Sequence, residues 1–312
     1  MDTTNKVMSV QNLNVTLDET SRTLSDSRTL QGLFHEHRDG DPLPSGTALN
    51  ELIELCRAII FPGFYGNSNI INSHTLPHHI GVNVERLYEL LSEQIRAGLC
   101  FECRECGQQK AQELAVEFIS RLPRLRETLA TDVEAAYQGD PAAESYGEII
   151  CCYPVIKAIT NYRIAHELLI LGVPLIPRII TEMAHSETGI DIHPAAQIGH
   201  HFTIDHGTGV VIGATCIIGN HVKLYQGVTL GARSFPLDDN GNPIKGIPRH
   251  PILEDNVIVY SNATILGRIT LAHDTVVGGN LWVTESTKPG EHLVQAKKRT
   301  STLVKPEDWG GL

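Results

Sequence analysis

The amino-acid sequence predicts an α+β protein in which an all-helical domain precedes a left-handed parallel β-helix of hexapeptide repeats with an extruded loop. Three observations predict it: helical spacing of apolar residues up to about residue 186, aliphatic residues every six positions after Ile190, and one long interruption of that repeat. We therefore divide the chain into a polar, mobile arm (1–45), a helical domain (46–188), a β-helix (189–290) and a C-terminal tail (291–312).

The helical domain is predicted from apolar residues that recur three or four positions apart, as in Leu87, Leu90, Leu91, Ile95 and Leu99. Such spacing places apolar side chains on one face of a helix. Residues 1–45 are instead rich in Ser, Thr, Asp and Asn and end in a GDPLPSG turn cluster. They are expected to form an arm outside the helical core.

The β-helix is predicted from a period that fits neither a helix nor an ordinary strand. The aliphatic positions are Ile192, Ile198 and Ile204, then, after a two-residue slip, Ile212, Ile218, Leu224 and Leu230, and finally Leu253, Val259, Ile265, Leu271, Val277 and Val283. A six-residue period is typical of a parallel β-helix, in which three short strands form one triangular coil and the aliphatic side chain points inward.

The interruption between Leu230 and Leu253 is rich in Pro, Asn and Gly and has no inward aliphatic rhythm. It predicts a loop extruded from one coil. Long loops in compact domains are usually functional, so the returning end of this loop at Arg249 and His250 is a candidate for the site.

The composition argues against several classes of protein. The 36 acidic and 25 basic residues give a net charge of -11, and no Lys or Arg stripe marks a nucleic-acid partner. The N-terminal segment lacks a signal-peptide pattern and the longest apolar run is broken by prolines, so we expect a cytoplasmic protein with no membrane partner. The seven cysteines are expected to be reduced thiols.

Three of the cysteines, Cys100, Cys103 and Cys106, have the spacing of metal ligands, but a fourth ligand is not evident nearby. On a helix the same spacing places all three on one face, where cysteine behaves as a small apolar residue. We therefore expect no bound metal.

Four short segments combine Asp or Arg with Pro, Gly or His: GDPAA at Gly139–Ala143, GIDIHP at Gly189–Pro194, TIDHGTG at Thr203–Gly209 and PRHP at Pro248–Pro251. With the order of helices before hexapeptides, they resemble the serine acetyltransferase family from about Asp140 to Val283. The resemblance implies that acetyl-CoA is the co-substrate. It also implies that the hydroxyl of L-serine is acetylated, giving O-acetylserine and CoA in cysteine biosynthesis.

The resemblance also implies roles for individual residues. His206 is expected to be the general base, and Asp191 the carboxylate that orients it. The serine pocket is expected to contain Asp140, Pro141, Asp205, Arg249 and His250, with the arginine facing the serine carboxylate. A coenzyme A groove between neighbouring β-helices is expected at Ala232, Ser261 and Gly279.

General chemistry agrees with these roles. A histidine is suited to take a proton from a hydroxyl near neutral pH, and an Asp on its other ring nitrogen fixes the tautomer. Because none of the cysteines lies in the four segments, we expect direct attack in a ternary complex rather than an acyl-cysteine route.

The resemblance further implies a homotrimer or a hexamer, L-cysteine as a feedback inhibitor, and docking of the C-terminal tail, which here ends at Leu312, into O-acetylserine sulfhydrylase. Three alternatives remain open. They are an acyltransferase for homoserine, phosphoserine or another small acceptor, a metalloenzyme like the γ-type carbonic anhydrases with three histidine ligands, and a non-catalytic scaffold. Four histidines outside the family motifs are expected to be solvated: His200, His201, His221 and His273.

Overall fold

The computed structural model describes residues 10–30, 33, 42–66, 71–102 and 107–295. It divides the chain into two compact units, Met1–Pro42 and Leu43–Leu312. The predicted fold class is confirmed, because α-helices are followed by a parallel β-helix with an extruded loop. Cys103, Cys106 and the end of the tail at residues 296–312 lie outside the described residues.

The first unit contains a helix that the sequence analysis did not predict. Helix α1 spans Val10–Leu24, and a short 3-10 helix follows at Ser27–Thr29. The Asp26 carboxylate caps this second element by accepting a hydrogen bond from the backbone N–H of Arg28. The polar arm therefore has local helical structure.

The second unit begins with six helices: α2 Gly46–Ile60, α3 Leu76–Glu102, α4 Gln108–Gly139, α5 Tyr146–Cys152, α6 Pro154–Ile170 and α7 Ile176–Thr188. Ser45 and Ser145 cap α2 and α5 through their hydroxyls. Gly189, in the left-handed conformation, ends α7. No helix among the described residues is both long and apolar enough to cross a membrane.

Fourteen short strands within the described residues build the β-helix: β1 Asp191–Ile192, β2 Gln197–Ile198, β3 Thr203–Asp205, β4 Val211–Ile212, β5 Ile217–Ile218, β6 Lys223–Tyr225, β7 Thr229–Gly231, β8 Ile252–Leu253, β9 Ile258–Val259, β10 Thr264–Leu266, β11 Thr270–Leu271, β12 Val276–Val277, β13 Trp282–Val283 and β14 His292–Leu293. They pair in parallel into three sheets, with the strand orders β1-β4-β7-β10-β13, β2-β5-β8-β11 and β3-β6-β9-β12-β14.

The six-residue period corresponds directly to these sheets. One inward column, for example, stacks Ile192, Ile212, Leu230, Ile265 and Val283 in register, and all five are buried. Each coil alone would expose its aliphatic side chains, so stacking of neighbouring coils creates the core. The last strand, β14, lies just beyond the predicted domain boundary at residue 290.

A buried ion pair joins the helices to the first coil. Arg163 on α6 donates two hydrogen bonds to Asp132 on α4, at 2.6 and 2.9 Å, and another to the Gly199 carbonyl oxygen at 2.7 Å. Asp132 in turn accepts the backbone N–H of Phe202 at 3.0 Å. These contacts fix α4 against the coil and thereby position Asp140, which follows the end of α4.

The extruded loop occupies residues 232–251, between β7 and β8. Its tip turns at Asp238, whose side chain accepts the backbone N–H groups of Asn240 and Asn242. The loop then returns to the coil at Arg249 and His250, as the sequence predicted.

Candidate active site

His206 is carried by an insertion at one corner of the β-helix. The corner between β3 and β4 comprises residues 206–210, whereas the corner above it, between β6 and β7, comprises only residues 226–228. This insertion is the two-residue slip seen in the sequence. His206 adopts φ of 60°, and Gly207 follows at φ of 96°, where a Cβ atom would lie 2.5 Å from Ile190 Cδ1. The backbone therefore turns inward at Gly207 and leaves the His206 side chain exposed.

Two predicted carboxylates lie beside His206. The Asp205 Oδ1 atom is 3.8 Å from His206 Nε2, and the Asp205 Oδ2 atom is 3.4 Å from Lys223 Nζ. Lys223 also donates a hydrogen bond of 2.6 Å to the carbonyl oxygen of Gly139, which directly precedes Asp140. We call Asp140, Asp205, His206 and Lys223 the carboxylate corner.

Asp140 is held as an anion at this corner. Its Oδ2 atom accepts a hydrogen bond of 2.5 Å from the Tyr153 hydroxyl, and its Oδ1 atom accepts the Ala142 backbone N–H at 2.8 Å. These two hydrogen bonds, with smaller contributions from the charges of Lys223 and His206, lower the pKa of Asp140. The same bond raises the pKa of Tyr153 to about 12. Pro141, also predicted in the serine pocket, is exposed next to Asp140.

Lys223 keeps its positive charge although it is partly buried. Burial acts to lower its pKa, but contacts with Tyr225 and with Asp205 outweigh burial, and the pKa of Lys223 is raised. Its ammonium group also lies 4.6 Å from the centre of the Tyr225 ring. A fixed cation thus stands between the end of α4 and Asp205.

Arg249 and His250 lie at a different corner, where the extruded loop returns. The Thr215 hydroxyl oxygen accepts the backbone N–H groups of both, at 2.9 and 3.1 Å. The Arg249 guanidinium lies over the Phe235 ring, 5.5 Å from its centre, and its buried Nε has no hydrogen-bond partner among the described residues. We call Thr215, Arg249 and His250 the arginine corner; it offers a carboxylate an unused charged donor.

His250 is an uncharged hydrogen-bond donor in this arrangement. Burial, together with the charge of Arg249, lowers its pKa to about 4. The Thr215 backbone N–H donates to His250 Nδ1 at 3.1 Å, so the neutral ring carries its proton on Nε2. The ring fits because Gly213 has no side chain: a Cβ atom there would lie 2.0 Å from His250 Cδ2.

Asp191, the predicted orienting carboxylate, lies at the start of β1 next to the last turn of α7. Its carboxylate oxygen and single atoms of Glu182 and His185 lie within 4.8 Å of one another. No hydrogen bond or ion pair joins Asp191 to His206 within the described part of this single chain. The role of Asp191 stays a prediction.

The predicted coenzyme A residues lie at two corners. Ser261 and Gly279 occupy the same position in successive coils, and a Cβ atom at Gly279 would approach the Ser261 carbonyl oxygen to 3.1 Å. Ala232 follows β7 where the extruded loop begins. These partly exposed residues lie at opposite edges of one sheet, because Ser261 and Gly279 precede β10 and β13 whereas Ala232 follows β7.

Sequence reasoning missed three residues that shape the two corners, namely Lys223, Tyr153 and Thr215. Lys223 could have been found from its register, because it lies directly above Thr203 on the strand beside Asp205. Tyr153 and Thr215 gave no local signal, since their contacts depend on how α5 and the returning loop pack.

Comparison with known proteins assigns the chain to a family. No protein-family model matches the chain. The plasmid serine acetyltransferase of Synechococcus elongatus is 46% identical over 280 residues, which cover 87% of this chain and 86% of that protein. Serine acetyltransferase 1 of Entamoeba histolytica, solved with L-cysteine, has a TM-score of 0.70 and 34% identity and covers 88% of this chain and 94% of its own. Isoform 3 from that organism, solved with cysteine, has a TM-score of 0.70, 31% identity, and coverages of 95% and 98%.

The hexapeptide β-helix behind a helical domain, with a histidine beside carboxylates at a coil corner, defines an acyltransferase of the hexapeptide-repeat class. Within that class, the extent of the similarity is decisive. The chain belongs to the serine acetyltransferase family.

Proposed function

We propose that this serine acetyltransferase works by direct transfer from acetyl-CoA to L-serine, with His206 as the general base. The observation that carries the proposal is the corner insertion, which holds His206 outward beside Asp205, with Asp140 close by. A positioned base of this kind typically contributes about 10²–10⁴-fold to a rate.

The proposed step balances without a covalent enzyme intermediate. His206 takes the proton of the serine hydroxyl as the oxygen attacks the carbonyl carbon of the thioester. The carbon–sulfur bond then breaks, and the departing thiolate of coenzyme A receives the proton from His206. Acetyl-CoA supplies the activated acyl group, so the protein needs only to align the two substrates.

The two corners match the two charged ends of serine. Asp140 and Asp205 would hold the ammonium group, and Arg249 with the Nε2–H of His250 would hold the carboxylate. Lys223 would fix Asp205 in place and keep the local charge balanced. Asp191 would orient and stabilise the protonated His206 once a substrate and a neighbouring chain enclose the corner.

We further propose that the complete pocket forms between copies of the chain. His206 follows β3 and Arg249 precedes β8, so they lie at opposite edges of the sheet that contains β1 and β4. The His206 side chain is 77% exposed in the single chain. In a closed trimer that packs this sheet against its neighbours, the carboxylate corner of one chain would lie against the arginine corner of the next. The predicted hexamer would pair two such trimers.

Inhibition by L-cysteine follows from the same pocket, since a thiol replaces the hydroxyl with little change in shape. The Entamoeba histolytica enzymes solved with cysteine support this proposal. The cytoplasmic location remains a prediction. So does docking of O-acetylserine sulfhydrylase, because Leu312 lies outside the described residues.

An acceptor panel tests the proposed function. The purified chain is given acetyl-CoA with L-serine, homoserine, phosphoserine or no acceptor, and free thiol release is followed. We expect serine to be the best acceptor and L-cysteine to raise the apparent KM for serine. Faster thiol release with homoserine or phosphoserine than with serine would contradict the assignment of serine as the acceptor. Absence of thiol release with every acceptor would contradict acyl transfer.

A further inference from the structure

Three histidines outside the proposed active site converge at another corner of the β-helix. His200 and His201 precede β3, and His221 precedes β6 in the next coil. One ring nitrogen from each lies within 4.8 Å of the others, and the His200 and His201 Nδ1 atoms are 2.8 Å apart. The sequence predicted these residues as solvated, and His200 and His221 are indeed exposed, but the fold also brings all three together.

The backbone at this corner holds the histidines in fixed positions. His201 and His221 both adopt positive φ, 53° and 57°, and occupy equivalent sites in successive coils. The His221 backbone N–H donates to the His200 carbonyl oxygen at 3.1 Å, and the His201 N–H donates to Thr131 Oγ1 at 3.0 Å. The cluster is therefore built on rigid elements, as a ligand site requires.

The equivalent residues in the later coils behave differently. Asn256 and Asp274 occupy the same left-handed position, and the Asn256 side chain donates a hydrogen bond of 2.9 Å to Asp274. At His201 and His221 the rings are stacked instead, with their centres 4.3 Å apart. The His200 ring lies edge-on to both stacked rings. This corner therefore holds three imidazoles, whose nitrogens can bind a metal, where the later coils have a single side-chain hydrogen bond.

We propose that His200, His201 and His221 form a site for a divalent transition-metal ion such as Zn²⁺. Imidazole nitrogen is a preferred ligand for Zn²⁺, at about 2.1 Å, which places tetrahedral ligands roughly 3.4 Å apart. Because two of the rings are stacked and the third lies edge-on, the side chains would have to rotate to bring one nitrogen of each to that spacing. Glu134 on α4, whose Oε2 atom lies 3.4 Å from His201 Nε2, adds negative charge beside the cluster.

The bound ion would tie the first two coils to each other. The site lies at the start of β3, whereas Asp205 and His206 lie at its end, so the ion is not part of the acetyl-transfer chemistry. The proposal departs from the expectation that no metal is bound, and it does not depend on the proposed function. Its consequence is a folded state whose free energy of unfolding rises with the logarithm of the metal concentration once that concentration exceeds the dissociation constant.

Metal titration of the full chain tests the site. Chelator-treated protein is titrated with Zn²⁺ in competition with a chromophoric chelator, and Tm is measured with and without Zn²⁺. We expect about one ion per chain and a rise in Tm. His221→Asn and His201→Asn should each weaken binding at least about tenfold, because each removes a ligand while Asn accepts the left-handed backbone.

His273→Asn is the matched control, since His273 is exposed at the same edge of the β-helix two coils beyond His221. It should leave Zn²⁺ affinity unchanged. Co²⁺ substitution should give ligand-field bands without thiolate charge transfer, which separates this site from one at the cysteines. Three results would overturn the proposal. They are absence of Zn²⁺ binding, undiminished binding in the His201→Asn/His221→Asn double variant, and loss of binding in His185→Asn instead.

Discussion

His206 occupies a backbone conformation that few residues adopt, and the chain maintains it with glycine on the inner side of the turn. With φ of 60° at His206 and 96° at Gly207, the corner departs from the regular coil at the one place where two extra residues enter. Left-handed non-glycine residues also occur at regular corners of this β-helix, as at His201 and Asn262, so the distinctive feature of the His206 corner is its two-residue insertion. The inserted corner is therefore the strongest single indication of where the chemistry occurs.

Removal of the proposed base is the first prediction. His206→Ala should lower kcat at least about a hundredfold, because it removes proton transfer while removing little binding. Asp191→Asn should lose less, and the double variant should be scarcely worse than His206→Ala, since residues that act as one unit are non-additive. Steady-state kinetics, with acetyl-CoA affinity and sedimentation as controls, provide the measurement. Near-normal turnover in a correctly assembled His206→Ala protein would exclude His206 as the general base and make His250 the next candidate.

At this scale the sequence pointed to the residues proposed for the reaction but not to those that hold them in place. His206, Asp205, Arg249 and His250 stand in motifs, and their placement at coil corners follows from the repeat. Lys223 and Tyr153 do not stand in motifs: they join the site only because Lys223 reaches the Gly139 carbonyl and Tyr153 reaches Asp140. Contacts between elements so distant in sequence depend on packing, which a local pattern does not encode.

Among the elements, the returning end of the extruded loop is anchored by two side chains, Thr215 and Arg268. The Thr215 hydroxyl accepts two backbone N–H groups and lies 2.8 Å from His250 Nδ1, while Arg268 donates to the His250 carbonyl oxygen at 3.0 Å. Since the remainder of the loop is largely exposed, this anchor determines where Arg249 points.

Loosening that anchor is the second prediction. Thr215→Val keeps the shape of the side chain but removes hydrogen bonds that each contribute about 0.5–1.5 kcal/mol. We expect KM for serine to rise roughly 3- to 10-fold with kcat less affected, since the binding of the carboxylate is disturbed and His206 is not. Thr270→Val, on β11 of the adjoining sheet, is the control and should behave as wild type. Equal effects of the two substitutions on KM would contradict the anchoring role.

The strands of the β-helix could be predicted because the six-residue period of aliphatic residues has one physical cause. A six-residue period requires an inward side chain on every strand of a coil, so its phase determined the three stacked columns. Helix α1 was missed because its Asn, Thr, Ser and Asp residues have low helix propensity. Its apolar residues Leu13, Leu17 and Leu24 nevertheless recur at helical spacing.

For the whole molecule, two uncharged histidines make stability depend on pH. Burial, with nearby arginines, lowers the pKa of His193 and of His250 from 6.5 to about 4. Between these values the unfolded chain binds protons that the folded chain excludes. The free energy of unfolding should therefore fall as the pH falls from 6.5 towards 4, and this effect should be absent at higher pH.

The third prediction follows from this decrease in the free energy of unfolding at low pH. Urea unfolding at fixed protein concentration should show decreasing stability from about pH 7 to about pH 5. His193→Asn and His250→Asn should each make the decrease shallower, whereas His74→Asn, at an exposed turn residue, should not. A decrease that is unchanged in both variants would show that other groups dominate acid destabilisation.

Assembly is the property on which the proposed site depends most. The carboxylate corner and the arginine corner are separate in one chain, yet in the proposed site one small substrate with opposite charges at its ends would contact both. A neighbouring copy of the chain can satisfy this requirement, and Val211 and Trp282 are exposed on the sheet between the two corners. We therefore predict that neither corner is active without a partner.

Mixed oligomers of two inactive variants would show whether the site is shared between copies of the chain. His206→Ala and Arg249→Ala chains are unfolded together, refolded together and assayed at a serine concentration where each variant alone is nearly inactive. If each site takes His206 from one copy and Arg249 from the next, every mixed trimer regains one intact site, about a third of the wild-type number. Activity well above the sum of the two parents is the predicted result. Activity that equals that sum, in oligomers shown to be mixed, would contradict a site shared between copies.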